Sequence, residues 1–387
     1  LAIRLGVDGF SAFVVLTGIS QYATLGVELG FNHVALAKIK NSQSDDERSS
    51  IFSAIFYLKL VLVLVTACAV TAIVQWINAS PGIYSWVLFL LIFGSLFTCV
   101  IYPAWYFVLT ERQSCNFIIS IFSRSMLFVL IWTLVRVGSD ALLAVALFNY
   151  AFVLAGIFYS KYWLFLLKSP LRVSRAVYAE CFRGGFGMSG AMLRETVTSL
   201  GIAPLLGIFG ATGVSIGVLA FSEKIAKILV IPAPVVAATL MVGWDRFKKN
   251  KYIDRFLNGD GKVIFSFLTL TAVALIFYAT LVSWAINIWF SSYLDAKFLI
   301  YILLLAVPFA YVNYVFVAVV YIAREDFSGI GRLSIIQILS LVGSALIMQR
   351  FFGATGVVTS VVLAEIIFLL ALLYQRRSGR SSSGEVQ

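Results

Sequence analysis

Charge is what this sequence has least of. Only 12% of its 387 residues are Asp, Glu, Lys or Arg, about half of what a soluble domain carries. A disordered chain combines high charge with low hydrophobicity, so disorder is excluded. So is nearly every soluble enzyme of this length. Histidine is almost absent, with His33 alone, and the four cysteines (Cys68, Cys99, Cys115, Cys181) stand at no metal-ligand spacing. A zinc or haem site therefore has no ligand set, and the cysteines read as small apolar side chains. No cofactor and no metal are expected. The catalytic signatures are missing too: there is no GxxxxGK[ST], no GxSxG and no HExxH, so the chain is not read as an enzyme.

What fills the sequence instead is hydrophobic: 61% of residues are apolar and 15% aromatic. A bilayer span needs about 20 mainly apolar residues, and the chain is nearly all such stretches. They do not alternate apolar with polar, as barrel strands would. The reading is an all-α polytopic membrane protein. Eleven spans are expected, near 9–30, 51–77, 84–109, 115–135, 141–167, 184–207, 213–243, 263–290, 298–323, 330–349 and 355–375. Leu1 to Asp8 is too short for a span and reads as a helix end and a turn, so an upstream helix is expected, making twelve.

The net charge of +11 would suggest nucleic acid in a soluble protein. Here the basic residues sit in loops between apolar runs, where they set topology, and nucleic acid is not a partner. With the 31–50 loop taken as cytoplasmic, the inner loops hold Lys38, Lys40, Arg48, Arg112, Lys168, Arg172, Arg175 and Arg183. They also hold the basic residues of 245–262, then Arg324, Arg332, Arg376, Arg377 and Arg380. The outer side keeps Arg4, Arg136, Lys297 and Arg350. That bias fixes a cytoplasmic C-terminus.

The sequence also repeats itself. FGATGV occurs at 209–214 and at 352–357, and LGVDGF at 5–10 has the same Gly-x-x-Gly spacing. AWYFVLTERQ (104–113) resembles VAVVYIARED (317–326). The pairs lie six spans apart in the same orientation, which implies two parallel, pseudo-symmetric six-helix lobes. The expected boundaries are 1–168 for the first lobe, 169–183 for a cytoplasmic linker, 184–375 for the second lobe and 376–387 for a disordered tail.

Ionisable groups inside spans are costly and call for a reason. Lys161, near the inner end of its helix, reads as a snorkelling side chain. Lys59 and Arg124 lie about 12–14 Å into their helices, where snorkelling and cavity lining both fit. Arg194 and Lys224 lie about 16–18 Å deep, near the midplane. Lys224 and Lys227 share a helix face, and Glu223 stands four residues before Lys227, at pairing distance. Glu195, about 100° round the helix from Arg194, is placed to pair with another span, and Glu365 is about 15 Å deep. Two readings stand: buried ion pairs that lock helices, or a central hydrated cavity whose basic excess suits an anion. Pro232 and Pro234 interrupt the span that carries Lys224, either as a hinge beside a substrate site or as a static kink. Gly184, Gly185, Gly187 and Gly190 read as a close-packing surface or as a place where the helix bends.

LGVDGFSAF near the start, ELGFNHVALAKI at 28–39, YPAWYFVLTER at 102–112 and GVLAFSEKIAKILVIPAPVV at 217–236 resemble the O-antigen and polysaccharide flippases of the MOP superfamily (Wzx type). The resemblance implies two six-helix lobes around a central cavity. It implies a bacterial inner-membrane carrier of undecaprenyl-pyrophosphate-linked oligosaccharide, working by alternating access, either alone or beside a polysaccharide polymerase complex. Arg194, Lys224, Lys227, Arg124 and Lys59 would line the cationic cavity, and Glu223, Glu195 or Glu365 would couple to an ion or form pairs. The alternatives are a multidrug or cation antiporter of the same superfamily, and a non-transporting membrane scaffold in polysaccharide assembly.

Overall fold

The computed structural model describes residues 1–42, 44–76, 84–110, 113–169, 172–208, 216–230, 232–233, 261–317 and 327–383. Every described element is helical. In the first half these are α1 (Ala2–Glu28), α2 (Phe31–Asn41), α3 (Asp45–Trp76), α4 (Ser85–Ile101), α5 (Ala104–Leu109), α6 (Gln113–Leu134), α7 (Ala141–Tyr159), α8 (Arg175–Leu200) and α9 (Ala203–Ile208). In the second half they are α10 (Ile216–Ile228), α11 (Gly261–Trp289), α12 (Ala296–Leu304), α13 (Ala306–Phe316) and α14 (Phe327–Ser383). Seven helical stretches among the described residues are long and apolar enough to cross a membrane. The last of them, Leu333–Gln375, carries two of the expected spans. Large apolar side chains face outward along these helices, as on α6 with Phe117, Phe122, Phe128 and Trp132. Such a continuous apolar exterior needs lipid, not water, around it.

The chain divides into two compact units, Leu1–Ala211 and Thr212–Gln387. The first unit reaches beyond the expected linker at 169–183. Helix α8 begins at Arg175, where the Ser174 hydroxyl caps it by accepting from the Val177 N–H at 3.3 Å, and it packs on α1, α2 and α3. Glycine explains this packing. A Cβ on Gly185 would lie 2.9 Å from the Phe31 ring, and one on Gly184 would lie 3.1 Å from Val34. On the same principle α1 meets α9 at Gly18, where a Cβ would sit 2.2 Å from the Pro204 side chain.

The repeated Gly-x-x-Gly turn has a physical cause in both described copies. Its first glycine breaks a helix with a positive φ: Gly6 at φ 65°, ψ −174° and Gly353 at φ 57°, ψ −137°. Its second glycine touches backbone. A Cβ on Gly9 would come 2.8 Å from the Gly138 carbonyl oxygen, and one on Gly356 would come 2.3 Å from that of Met348. The first position needs glycine for conformation and the second needs it for space. The copy at 209–214 and most of the 317–326 segment lie outside the described residues.

Prolines end helices here. Tyr102 and Pro103 separate α4 from α5, because Pro103 lacks the N–H that would continue the ladder. Trp105, Tyr106 and Phe107 on α5 then turn into the core, where Trp105 and Tyr106 pack around Phe52 beside Trp163. The aromatic motif at 104–107 is therefore packing. At the other end of the chain, α14 is helical to Ser383, where a disordered tail was expected from Arg376.

Candidate functional site

In the first unit the ELGFN segment builds a buried charge site. Glu28 closes α1, and Leu29 and Gly30 follow with positive φ of 40° and 87°. These two residues redirect the chain from α1 into α2, and Asn32 on α2 shares a partner with Glu28. Lys59 on α3 fills the space between them and is 3% exposed. Its ammonium donates to both Glu28 carboxylate oxygens at 3.0 Å, to Asn32 Oδ1 at 2.9 Å and to the Cys99 carbonyl at 3.3 Å. Lys59 was a candidate for binding an anion, but its charge is already met by Glu28. The sequence reading missed Glu28 and Asn32. The available signal was that Glu28 is the one acid within its apolar run.

In the second unit α10 carries the SEKIAK segment. Ser222 faces inward, donating to the Val218 carbonyl at 2.8 Å and to the Ala296 carbonyl at 3.3 Å. That second contact ties α10 to α12. Phe221 reinforces it, its ring centroid 4.4 Å from that of Tyr293. Glu223 is buried, 3% exposed, while Lys224 is exposed and Lys227 half-buried. Glu223, Lys224 and Glu365 are the charged groups whose fields reach the Lys227 ammonium. Helix α10 stops at Ile228, before Pro232. The carbonyls orphaned there have partners, as helix ends require. Ile225 accepts from the Tyr278 hydroxyl at 3.0 Å and Leu229 from that of Tyr311 at 2.8 Å. Pro234 lies outside the described residues.

Glu365, on the second half of α14, is 7% exposed. Its carboxylate accepts from Asn313 Nδ2 at 2.6 Å and from Gln337 Nε2 at 3.0 Å. Asn313 Nδ2 also donates to the Glu365 carbonyl at 3.0 Å. Two buried amides from α13 and from the first half of α14 thus hold one carboxylate. Neither amide was singled out from sequence, although each stands in an otherwise apolar run.

The remaining candidates are dispersed. Arg124 is exposed on α6. Arg194 and Glu195 belong to α8, and their side chains lie outside the described residues. Cys181 is buried, and burial pushes its thiol up to about 11.

Comparison with known proteins now places the chain. A family model described as "Polysaccharide biosynthesis protein" matches residues 1–244. The chain belongs to the polysaccharide biosynthesis protein family. Within reach of this family, a protein named "Putative O-antigen transporter" from Escherichia coli (strain K12) is 28% identical over 219 residues, 54% of this chain. The match spans about half of that relative's length, 51%. Among solved structures, one titled as the inward-facing conformation of a multidrug resistance MATE family transporter of the MOP superfamily aligns over 100% of this chain and 93% of its own. Its TM-score is 0.66 at 15% identity. Another, titled as the lipid II flippase MurJ in an inward closed conformation, aligns over 96% of this chain and 86% of its own, with a TM-score of 0.59 at 12% identity. These two likenesses show that the chain shares its fold with both structures. The names of all three similar proteins describe transporters or flippases, and none describes an enzyme.

Proposed function

We propose that the chain translocates lipid-linked oligosaccharide, an undecaprenyl-pyrophosphate O-antigen unit or a similar repeat, across the bacterial inner membrane by alternating access. One observation carries the reading. At span depth α10 presents Lys224 outward, with Lys227 half-buried one turn on, while the acids Glu223 and Glu365 are buried. A cation exposed at that depth is costly unless an anion or water meets it, and a pyrophosphate headgroup meets it. Arg194 and Arg124 add to the cationic lining in this reading. Glu365, held by two amides, is the group suited to carry a coupling proton. The inward bias of basic loops supports a cytoplasmic C-terminus.

A carrier of cationic drugs would need accessible carboxylates, and Glu223 and Glu365 are buried. A scaffold would have no use for an exposed Lys224. The test is complementation in bacteria that lack their own O-antigen flippase, with the native glycan pathway supplied. Surface polymer and stalled lipid-linked units are both read. Wild-type chain restores polymer, and Lys224→Ala and Arg194→Ala fail to restore it while remaining in the membrane. Full rescue by both variants would sink the cationic-site reading.

A further inference from the structure

The second unit contains a groove of about 1070 Å³. One wall is α11, along a single face that runs through Ile276, Thr280, Ser283 and Asn287. The other walls come from α12, α13 and the second half of α14, with Tyr301, Phe309 and Ile366 among the lining residues. None of the charged candidates above lines it. The groove extends along α11 from Thr269 to Asn287, about 27 Å at 1.5 Å per residue. The hydrocarbon layer is about 30 Å thick, so one leaflet is about 15 Å. A phospholipid acyl chain fills one leaflet, whereas a single occupant of this groove must continue well past the midplane. The lining is apolar apart from a few Ser, Thr, Asn and Tyr groups, and Trp284 and Phe309 offer broad faces to a hydrocarbon.

The end of the groove at Asn287 carries a charge. The Lys297 ammonium donates to Asn287 Oδ1, which places a cation against a groove-lining side chain. A phosphate-headed lipid fits that end, and a chain longer than one leaflet fits the rest. We propose that the groove seats the polyprenyl chain of the lipid carrier, with its phosphate end at Lys297 and Asn287. This rests on the reading that the cargo is lipid-linked oligosaccharide, and it adds a seat for the hydrocarbon chain, with Lys224 meeting the phosphate at span depth and Lys297 meeting it at the outer end of the same path.

The test uses the full chain in lipid nanodiscs and two photoreactive probes. One is a diazirine-bearing polyprenyl phosphate and the other a diazirine-bearing phosphatidylglycerol, with adducts mapped by mass spectrometry. The polyprenyl probe should label the 269–287 and 301–309 peptides, and unlabelled polyprenyl phosphate should compete it away. Ala279→Trp fills the groove and should cut labelling at least five-fold. Thr280→Phe is a milder filling variant, for use if Ala279→Trp fails to fold by size-exclusion profile. Lys297→Ala should weaken labelling at the same peptides. The proposal is overturned if the polyprenyl probe labels elsewhere. It is also overturned if phosphatidylglycerol labels the groove equally and polyprenyl phosphate does not compete. Groove labelling without complementation would keep the groove and remove the oligosaccharide cargo. Complementation without groove labelling would do the reverse.

Discussion

The Lys59–Glu28 pair yields the sharpest prediction, because the two readings of Lys59 separate cleanly there. At 3.0 Å and an effective dielectric near 20, two unit charges attract by about 5.5 kcal/mol. Removing one partner of a buried pair typically costs about 3–5 kcal/mol, since the other charge is left uncompensated. The two partners are not equivalent. The Lys59 side chain is 3% exposed and that of Glu28 is 21% exposed, so an orphaned Glu28 can reach solvent while an orphaned Lys59 cannot. Glu28→Gln should therefore cost the upper part of that range and Lys59→Met the lower part. With an unfolding entropy of about 2.1 cal/mol/K per residue, or about 0.8 kcal/mol/K for the chain, the shift in Tm is about 4–6 °C. Replacing both charges, as Glu28→Leu with Lys59→Met, removes the orphan and should recover most of the loss. Thermal unfolding of the detergent-solubilised chain, followed by tryptophan fluorescence, reads all three variants. Suppose instead that Glu28→Gln leaves Tm unchanged while Lys59→Met abolishes transport at full stability. Lys59 would then be a substrate ligand, and the ion-pair argument would be wrong.

Three further outcomes are expected. Glu365→Ala removes the carboxylate that accepts from the Asn313 and Gln337 amides and should cost about 2–6 kcal/mol, at about 1–3 kcal/mol per buried bond lost. Glu365→Gln retains most of the packing and should cost clearly less, and the difference is measurable by thermal unfolding. Gly6→Ala and Gly353→Ala face open space, so their cost is backbone strain alone, about 1–3 kcal/mol each. Gly9→Ala adds a clash with Gly138, and a silent Gly9→Ala in the same unfolding assay would refute the close approach. Cys181, raised by burial to about 11, should resist maleimide in the native chain at pH 8 and react only on unfolding. Rapid native labelling of Cys181, followed by mass spectrometry, would contradict its burial.

Composition and periodicity alone determined the class of this protein. Scarce charge and long apolar runs admit only a helical membrane protein, because lipid leaves a spanning backbone no partner but itself. The repeated Gly-x-x-Gly was legible as well, and the structure supplies its cause in a positive φ at Gly6 and Gly353. Position along a helix singled out Lys59, Glu223 and Glu365 as charges that needed an explanation. It could not supply their partners. Glu28 on α1 and Asn32 on α2 reach Lys59 on α3, while Glu365 is reached by Asn313 from α13 and by Gln337 from the other side of the break at Gly353. The sequence orders residues along one helix, but a partner on another helix is set by packing. For the same reason the first unit's claim on α8 was invisible until Gly184 and Gly185 were seen against α2. Which charge is neutralised and which stays exposed is a property of neighbours, and only the tertiary structure decides neighbours.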